Sequence, residues 1–259
     1  MKVVILAGGF GTRLSEETDI MPKPMVEIGE HPIIWHIMKI YSHYGYNDFI
    51  IALGYKGYIV KEYFANYSLH NCDISIDLSK NKIDVLSSNT ENWKITLVDT
   101  GINTQTGGRI KRLQHYIGNE TFMLTYGDGL SDININDLVK YHKKHGKYAT
   151  LTAIQPAGKY GKLKLGLNDK VEEFEEKIPG DGFWVSGGFF VLEPQIFNYI
   201  KSDESAWEKD PLENLAREKQ LMAYKYSGFW KCMDTLKDKR ELQSMWVGGN
   251  AKWVVWDKK

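Results

Sequence analysis

Three glycines and one arginine near the start of the chain are the first residues whose types and spacing suggest chemistry. They are Gly8, Gly9, Gly11 and Arg13. Glycine lets the backbone approach a ligand closely, and the N–H groups of such a loop can surround an anion. The guanidinium adds a permanent charge whose geometry matches phosphate oxygens. The loop is therefore predicted to bind phosphate, and a plain turn between a strand and a helix remains the alternative.

Two familiar nucleotide-binding motifs do not fit this loop. A P-loop closes its glycines with Gly-Lys-Ser/Thr, and no such triplet follows here. The dinucleotide motif needs a glycine where this chain has Leu14, and an acidic residue where it has Leu53 and Gly54. NAD binding is therefore disfavoured, and an oxidoreductase is kept only as a weak alternative.

Lys23 stands between Pro22 and Pro24 in the segment that follows. The two prolines restrict the backbone, so the chain presents one ammonium group rigidly, which suits a point contact to a phosphate. A solvated loop lysine is the alternative and would be preferred for Lys23 alone. Its position close to the glycine-rich loop favours a shared phosphate site.

Two aspartates stand where site carboxylates are expected. Asp128 lies between Gly127 and Gly129, directly after an apolar run. The carboxyl end of a buried strand is a usual place for a ligand-binding residue, and a carboxylate oxygen suits Mg²⁺. A turn aspartate is the alternative. Asp234 precedes Thr235 and a helical segment, where an aspartate by itself is more often the N-cap of the helix.

The segments that would position these residues alternate between buried strands and amphipathic helices. Largely apolar runs, typical of strands buried on both faces of a parallel sheet, occur at residues 3–6, 49–53 and 122–126. Apolar residues recur at helical spacing after Pro32, and again at residues 59–67, 107–117 and 135–142. This alternation predicts βαβ units with right-handed crossovers.

After Pro156 the pattern changes to short antiparallel strands, at residues 163–165, 171–174 and 183–192. Helices follow at residues 194–200, 211–219 and 235–246. No linker rich in proline, glycine or serine separates the two parts. One mixed α/β domain over residues 1–259, with a C-terminal α+β elaboration, is therefore predicted in preference to two independent domains.

Charge and cysteine content exclude several classes of protein. The chain has 33 Lys and Arg against 33 Asp and Glu, so its formal net charge is zero. This balance argues against a nucleic-acid partner, although it does not exclude a strongly charged local site. Two cysteines, Cys72 and Cys232, are too few for a disulfide framework and are interpreted as thiols in a reducing cytoplasm.

Membrane insertion and secretion are also disfavoured. No apolar run approaches the ~20 residues of a membrane span. The apolar run at residues 3–7 is shorter than the core of a signal peptide and is better interpreted as a strand. We therefore expect a cytoplasmic protein with no membrane partner.

The segments at residues 6–14 and 22–25 resemble the signature of the sugar-1-phosphate nucleotidylyltransferase family. The resemblance runs along nearly the whole chain and is closest to the glucose-1-phosphate cytidylyltransferase branch. The segments that indicate this branch are residues 35–41, 98–101, 106–109, 126–129, 187–192, 228–230 and 233–235.

The resemblance implies a Rossmann-like, mixed, mostly parallel sheet flanked by helices, as in nucleotide-diphospho-sugar transferases, with a smaller α+β sugar-binding elaboration. Residues 1–155 would form mainly the nucleotide-binding core, and residues 156–259 mainly the sugar-binding and C-terminal elements. The family resemblance also implies a homo-oligomer and Mg²⁺ as the cofactor.

The implied reaction transfers a cytidylyl group from CTP to α-D-glucose 1-phosphate, giving CDP-glucose and pyrophosphate. A phosphate oxygen of the sugar would attack the α-phosphorus of CTP in line, with no protein nucleophile. The product would supply dideoxyhexose units of an O-antigen polysaccharide. The alternatives are the same chemistry with UTP or dTTP, or a regulator that binds a sugar nucleotide without catalysis.

The resemblance also assigns residues to the nucleotide. Arg13 would contact the departing pyrophosphate, Lys23 would neutralise charge near the α-phosphate, and Asp128 and Asp234 would hold Mg²⁺. Arg109 could donate to O2 of cytosine, and a surface arginine is the alternative. The nucleotide-binding set is Leu6, Ala7, Gly8, Gly9, Phe10, Gly11, Thr12, Arg13, Lys23, Thr104, Gly108, Arg109 and Asp128.

A second set is assigned to the sugar phosphate. It consists of Tyr160, Gly161, Glu176, Lys177, Gly187 and Gly188. Lys177 would bind the phosphate and Glu176 a sugar hydroxyl, although without the resemblance both would be interpreted as part of a solvated charge run. The chain departs from the family pattern at Ile178, an insertion before Pro179, and at Ser186, where relatives often carry a longer polar residue.

Overall fold

The elements of the chain follow the alternation predicted from its apolar runs. The computed structural model describes residues 1–14, 18, 20–87, 90–156, 162–165, 170–175 and 183–257. The strands in this part are β1 (Val3–Ala7), β2 (Glu27–Ile28), β3 (His31–Pro32), β4 (Asp48–Leu53), β5 (Ile74–Asp77), β6 (Lys82–Val85), β7 (Lys94–Asp99), β8 (Phe122–Tyr126), β9 (Gly129–Ser131), β10 (Ala149–Ile154), β11 (Lys162–Leu165), β12 (Val171–Glu175), β13 (Val185–Leu192), β14 (Leu221–Tyr226) and β15 (Trp230–Cys232).

The helices in the same part of the chain lie mostly between these strands. They are α1 (Ile33–His43), α2 (Gly57–Ala65), α3 (Tyr67–Asn71), α4 (Thr106–Arg112), α5 (Gln114–Ile117), α6 (Ile135–His145), α7 (Asp210–Arg217) and α8 (Leu236–Val247), with 3₁₀ helices at Thr12–Leu14, Lys23–Met25 and Pro194–Tyr199. No helix among the described residues is both long and apolar enough to cross a membrane.

Seven strands form the central sheet, in the order β14-β10-β13-β8-β1-β4-β7. Neighbouring strands pair in parallel, except that β13 is antiparallel to both β10 and β8. The predicted mixed, mostly parallel α/β sheet is confirmed. The carboxyl ends of β1, β4, β7 and β8 therefore meet at one edge, and the reversed β13 begins there. Ligands of open α/β sheets bind at this edge.

Hydrophobic clusters cover both faces of the sheet. Successive residues of a strand point to opposite faces. In β1, Val3 and Ile5 pack into the cluster that contains α1, whereas Val4 and Leu6 pack into the cluster that contains Ile110 of α4. All five residues of β1 are buried as a result, which explains why its sequence is apolar throughout.

The strands at residues 129–131, 221–226 and 230–232 were not predicted from the sequence. β14 is an edge strand of half-buried and exposed residues, so it has no continuous apolar run. β9 and β15 are three-residue strands that pair with each other although the middle and the C-terminal part of the chain supply them. Their pairing depends on a contact between distant segments, which local periodicity cannot indicate.

His36 in α1 is a core residue rather than a catalyst. It is fully buried, and its Nε2 lies 2.8 Å from the carbonyl oxygen of Ile28. Because a carbonyl oxygen only accepts, Nε2 carries the proton, and Nδ1 accepts from Trp253 Nε1 at 3.4 Å. Burial lowers the pKa of His36 from 6.5 to about 4.

We expect His36 to make the protein less stable as the pH falls below its ordinary pKa of 6.5. Between that pH and about 4, the unfolded chain binds a proton on His36 and the native state does not, so the free energy of unfolding decreases. Over the whole window the loss is on the order of 3 kcal/mol. Urea unfolding of the wild type and of His36→Gln across this window measures it. The stability difference between the two proteins should shrink with falling pH, and a constant difference would contradict the prediction.

Candidate active site

The carboxyl edge of the sheet opens into a cleft of about 400 Å³. The loops that follow β1, β7 and β8 form its walls. Most residues predicted to bind nucleotide or metal lie in this one cleft, namely Leu6, Ala7, Gly8, Gly9, Phe10, Gly11, Thr12, Lys23, Thr104, Arg109, Asp128 and Asp234. Arg13 belongs to the 3₁₀ helix Thr12–Leu14, and its side chain lies outside the described part of the structure.

The glycine-rich loop needs its glycines for two different reasons. Gly11 has a positive φ of 66°, a conformation that side chains disfavour. At Gly8 the backbone conformation is ordinary, but a Cβ would lie 2.3 Å from Nη1 of Arg109. The glycine at position 8 therefore makes room for a protein side chain beneath the loop, and not for a ligand alone.

Arg109 is the side chain beneath the loop, and it is only 4% exposed. The alternative of a surface arginine is therefore wrong. Its two terminal nitrogens donate to five oxygen atoms at the ends of β1, β4 and β7. The acceptors are the carbonyl oxygens of Gly8 (2.9 Å), Leu53 (3.1 Å), Gly101 (2.6 Å) and Ile102 (3.2 Å), and the hydroxyl oxygen of Thr100 (2.8 Å). Burial lowers the pKa of Arg109, opposed by the charge of Asp99.

These contacts give Arg109 a different role from the predicted one. The guanidinium ties together the ends of β1, β4 and β7, of which β1 and β7 carry loops that form the cleft, whereas O2 of the base was its predicted partner. Because its terminal N–H groups already have protein acceptors, the geometry favours a residue that positions the loops. A direct contact with a base stays a prediction.

Gly108 does not line the cleft. A Cβ at this position would lie 2.5 Å from the Cα of Asp203, and the N–H of Gly108 donates to Ser205 O at 3.2 Å. The glycine therefore allows α4 to pack closely on the backbone of residues 203–205. The predicted nucleotide contact of Gly108 has no support in this geometry.

Lys23, Asp128 and Asp234 meet at the floor of the cleft. Nζ of Lys23 lies 2.6 Å from Oδ2 of Asp128 and 2.6 Å from Oδ1 of Asp234. Burial disfavours the charge of Lys23, but the two carboxylates outweigh it and raise the pKa of Lys23 above its usual value. The alternative of a solvated loop lysine is wrong.

Asp234 is not the cap of the helix that follows it. Thr235 is the N-cap of α8, and its side chain forms a reciprocal capping box with Asp238. The N–H groups at the start of the helix thus have a partner other than Asp234. The N-cap alternative for Asp234 is wrong, and its carboxylate is directed to Lys23 instead.

Cys232 is a neighbour of this cluster that sequence analysis did not single out. Among the described residues, ligand atoms of Asp128, Cys232 and Asp234 lie within 4.8 Å of one another. Burial and the charge of Asp128 raise the pKa of the Cys232 thiol, which keeps it protonated and a weak ligand. Two carboxylates with oxygen ligands this close together fit a hard divalent cation. The sequence indicated this proximity only by placing Cys232 two residues before Asp234.

The predicted sugar contacts Gly187 and Gly188 lie at the start of the reversed strand β13. The register between β13 and β10 shifts here, and Gly188 has a positive φ of 79°. A Cβ on Gly188 would lie 2.6 Å from the ring of Tyr126. Nε1 of Trp230 donates to the carbonyl oxygen of Gly187 at 2.7 Å. Tyr160, Gly161, Glu176, Lys177 and the Ile178 insertion lie outside the described residues.

Glu208 links the two sides of the site and was missed by sequence analysis. Its carboxylate accepts from Oη of Tyr126 at 2.6 Å and from Oγ1 of Thr106 at 2.7 Å. Tyr126 packs against Gly188, and Thr106 begins α4, which carries Arg109. No local pattern marks Glu208, because its partners are distant in the chain.

Comparison with known proteins identifies the family of the chain that forms this cleft. Residues 2–242 match the nucleotidyl transferase family. The chain belongs to the nucleotidyl transferases. A glucose-1-phosphate cytidylyltransferase of Salmonella typhimurium is 52% identical over 258 residues, which cover 99% of this chain and 100% of the relative. A relative of the same name from Salmonella typhi has the same identity and coverage.

A solved structure of UDP-glucose pyrophosphorylase complexed with UDP-glucose resembles the fold. The TM-score is 0.68 at 19% identity, and the match covers 96% of this chain and 98% of the other. The resemblance inferred from the sequence is confirmed, and this nucleotidyl transferase is an enzyme. The oxidoreductase alternative and the non-catalytic alternative are wrong. Nucleotidyl transferases generally use a divalent metal, which the pair of carboxylates fits.

Proposed function

We propose that the protein transfers a cytidylyl group from CTP to α-D-glucose 1-phosphate, giving CDP-glucose and pyrophosphate. The observation that carries the proposal is the convergence of the glycine-rich loop, Lys23, Asp128 and Asp234 in one cleft. Relatives that are 52% identical over their full length are named for this activity.

The chain's own residues would contribute charge and position rather than a nucleophile. N–H groups of residues 8–11 would bind the triphosphate at the end of β1. Lys23 would neutralise negative charge near the α-phosphate. Asp128 and Asp234 would hold Mg²⁺, which supplies the positive charge that lets two anionic substrates approach. A phosphate oxygen of the sugar forms the new bond to the α-phosphorus, and the bond to the pyrophosphate oxygen breaks.

The sugar side of the proposal depends on residues outside the described part of the chain. Tyr160, Gly161, Glu176 and Lys177, together with Gly187 and Gly188, would bind glucose 1-phosphate, and Arg13 would contact the departing pyrophosphate. We also propose a homo-oligomer in which residues 1–155 bind mainly the nucleotide and residues 156–259 mainly the sugar. The CDP-glucose that the reaction gives would supply dideoxyhexose units of an O-antigen polysaccharide.

We expect Lys177→Ala to raise the KM for glucose 1-phosphate by about tenfold or more and to change the KM for CTP much less. The reason is that an ammonium bound to the sugar phosphate contributes a charge-assisted hydrogen bond to that substrate alone. Steady-state kinetics with each substrate varied in turn measures both constants. Equal effects on the two KM values, or no effect, would remove Lys177 from the sugar site.

The choice of base is tested by a panel of nucleotides. Cytosine offers an amino group where uracil and thymine have a carbonyl oxygen, so a wall that accepts hydrogen bonds selects CTP. Asn103, Thr104 and Gln105 line the cleft and carry side-chain acceptors. Pyrophosphate release is measured with CTP, UTP, dTTP and ATP against glucose 1-phosphate and Mg²⁺. We expect kcat/KM to favour CTP by about a hundredfold or more. Equal or greater efficiency with UTP or dTTP would replace the cytidylyl assignment.

A further inference from the structure

The ammonium group of Lys23 lies between the two carboxylates proposed to hold the metal. Its Nζ is 2.6 Å from an oxygen of Asp128 and 2.6 Å from an oxygen of Asp234. The side chain of Lys23 is 13% exposed, and those of the aspartates are 25% and 34% exposed. Mg²⁺ binds carboxylate oxygens at about 2.0–2.1 Å. An ammonium in contact with both carboxylates therefore fills the space that a shared divalent cation needs.

The backbone around Lys23 limits where its ammonium can go. Lys23 begins a 3₁₀ helix directly after Pro22, and the next two residues, Pro24 and Met25, are buried. The start of the side chain is thus anchored, and only the flexible stem can move. The same cleft that holds the carboxylates extends to the glycine-rich loop. The ammonium can therefore contact the carboxylates or a phosphate bound in that loop.

Charge decides which position the ammonium takes. Without substrate, both carboxylates attract the ammonium, which is held between them. A divalent cation that joined them would stand next to a like charge, which is unfavourable. A triphosphate adds several negative charges within reach of Lys23 and removes this conflict.

We infer that Lys23 is an internal counter-ion that fills the metal position in the free enzyme and so makes divalent-cation binding dependent on the nucleotide. The inference rests on the metal assignment of the proposed function. When the triphosphate binds, Lys23 leaves Asp128 and Asp234 for a phosphate, and both carboxylates become ligands. The same lysine thus has two positions in one reaction cycle.

Mn²⁺ binding tests this inference without any turnover. The free Mn²⁺ signal is followed by electron paramagnetic resonance for the wild type and Lys23→Met, with and without CTP and in the absence of glucose 1-phosphate. Binding of Mn²⁺ to CTP alone is subtracted. In the absence of CTP we expect Lys23→Met to bind Mn²⁺ about tenfold or more tightly than the wild type, because the ammonium no longer competes with the metal for the two carboxylates. CTP should enhance Mn²⁺ binding strongly in the wild type and less in the variant.

Lys39→Met is the matched control. Lys39 is also partly buried and pairs with Glu91 at 2.9 Å, outside the cleft. Its substitution should leave Mn²⁺ binding unchanged. Lys23→Gln serves as a second variant, should circular dichroism show that Lys23→Met is not folded.

The outcomes separate the counter-ion role from the metal assignment. If the Lys23 variants bind Mn²⁺ no more tightly than the wild type, while Asp234→Asn weakens binding, the counter-ion role is overturned and the metal assignment stands. Two results would overturn both the counter-ion role and the metal assignment. In one, the wild type binds Mn²⁺ but Asp234→Asn does not weaken that binding. In the other, no variant binds Mn²⁺ even with CTP. If Lys23→Met binds Mn²⁺ more tightly than the wild type and the double variant Lys23→Met/Asp234→Asn loses this gain, the counter-ion role and the metal assignment are both supported.

Discussion

Asp128→Asn and Asp234→Asn should each lower kcat by about 10³-fold or more while the protein stays folded. Asparagine keeps the size of the side chain and one oxygen, but it removes the charge that a divalent cation needs. Loss of groups that only orient metal ligands costs 10–100-fold, so loss of a ligand should cost more. Folding should persist, because the ammonium of Lys23 keeps the other carboxylate as a partner in each variant.

Pyrophosphate release at saturating Mg²⁺ and thermal unfolding together measure these effects. Asp84→Asn is the control, since Asp84 is an exposed partner of Lys82 in the β5–β6 hairpin, outside the cleft. Its rate should equal that of the wild type. Near-wild-type rates in either cleft variant would rule out the metal assignment.

Arg109→Met should destabilise the protein by about 3–5 kcal/mol and weaken CTP binding at the same time. Methionine fills much of the space, but the oxygens at the ends of β1, β4 and β7 lose a shared donor. The carbonyl oxygens of Gly8 and Leu53 keep backbone donors, but those of Gly101 and Ile102 lose the donor that joins them to the ends of β1 and β4. The loops after β1 and β7 form walls of the cleft. Arg109→Lys should not restore stability, because an ammonium cannot reproduce the planar fork of a guanidinium.

Urea unfolding and the KM for CTP distinguish the two roles considered for Arg109. Arg112 provides the control on the same helix, since it is exposed and pairs with Asp203. Arg112→Met should change the free energy of unfolding by less than about 1 kcal/mol. If Arg109→Met were as stable as the wild type and only the KM for CTP rose, Arg109 would be a base-contacting residue and the positioning role would be wrong.

Much of the fold was predictable because the central strands are buried on both faces. Such strands have nearly continuous apolar sequences, and β1, β4 and β8 were placed within one residue at each end. The convergence of the glycine-rich loop and Asp128 was predictable for the same reason. Both follow parallel strands, and the carboxyl ends of parallel strands share one edge.

Other parts of the site depend on contacts that no local pattern encodes. The glycine at position 8 looked like a phosphate-binding residue, yet the atom closest to its missing Cβ belongs to Arg109. The helix after Asp234 needs an N-cap, and either Asp234 or Thr235 could supply one. Only the tertiary structure showed that Thr235 caps the helix through its capping box with Asp238, whereas the Asp234 carboxylate contacts Lys23 in the cleft.

The sequence by itself determined the family, the mostly parallel sheet, and the charged groups that the reaction requires. Those features depend on residue type, spacing and strand burial, which are properties of short segments. The tertiary structure alone decided that Lys23 lies between Asp128 and Asp234, that Arg109 is buried beneath the loop, and that Cys232 and Glu208 belong to the site. A side chain's charge and hydrogen bonds are set by the groups within a few ångströms of it, and in this cleft those groups come from segments that are distant in the chain.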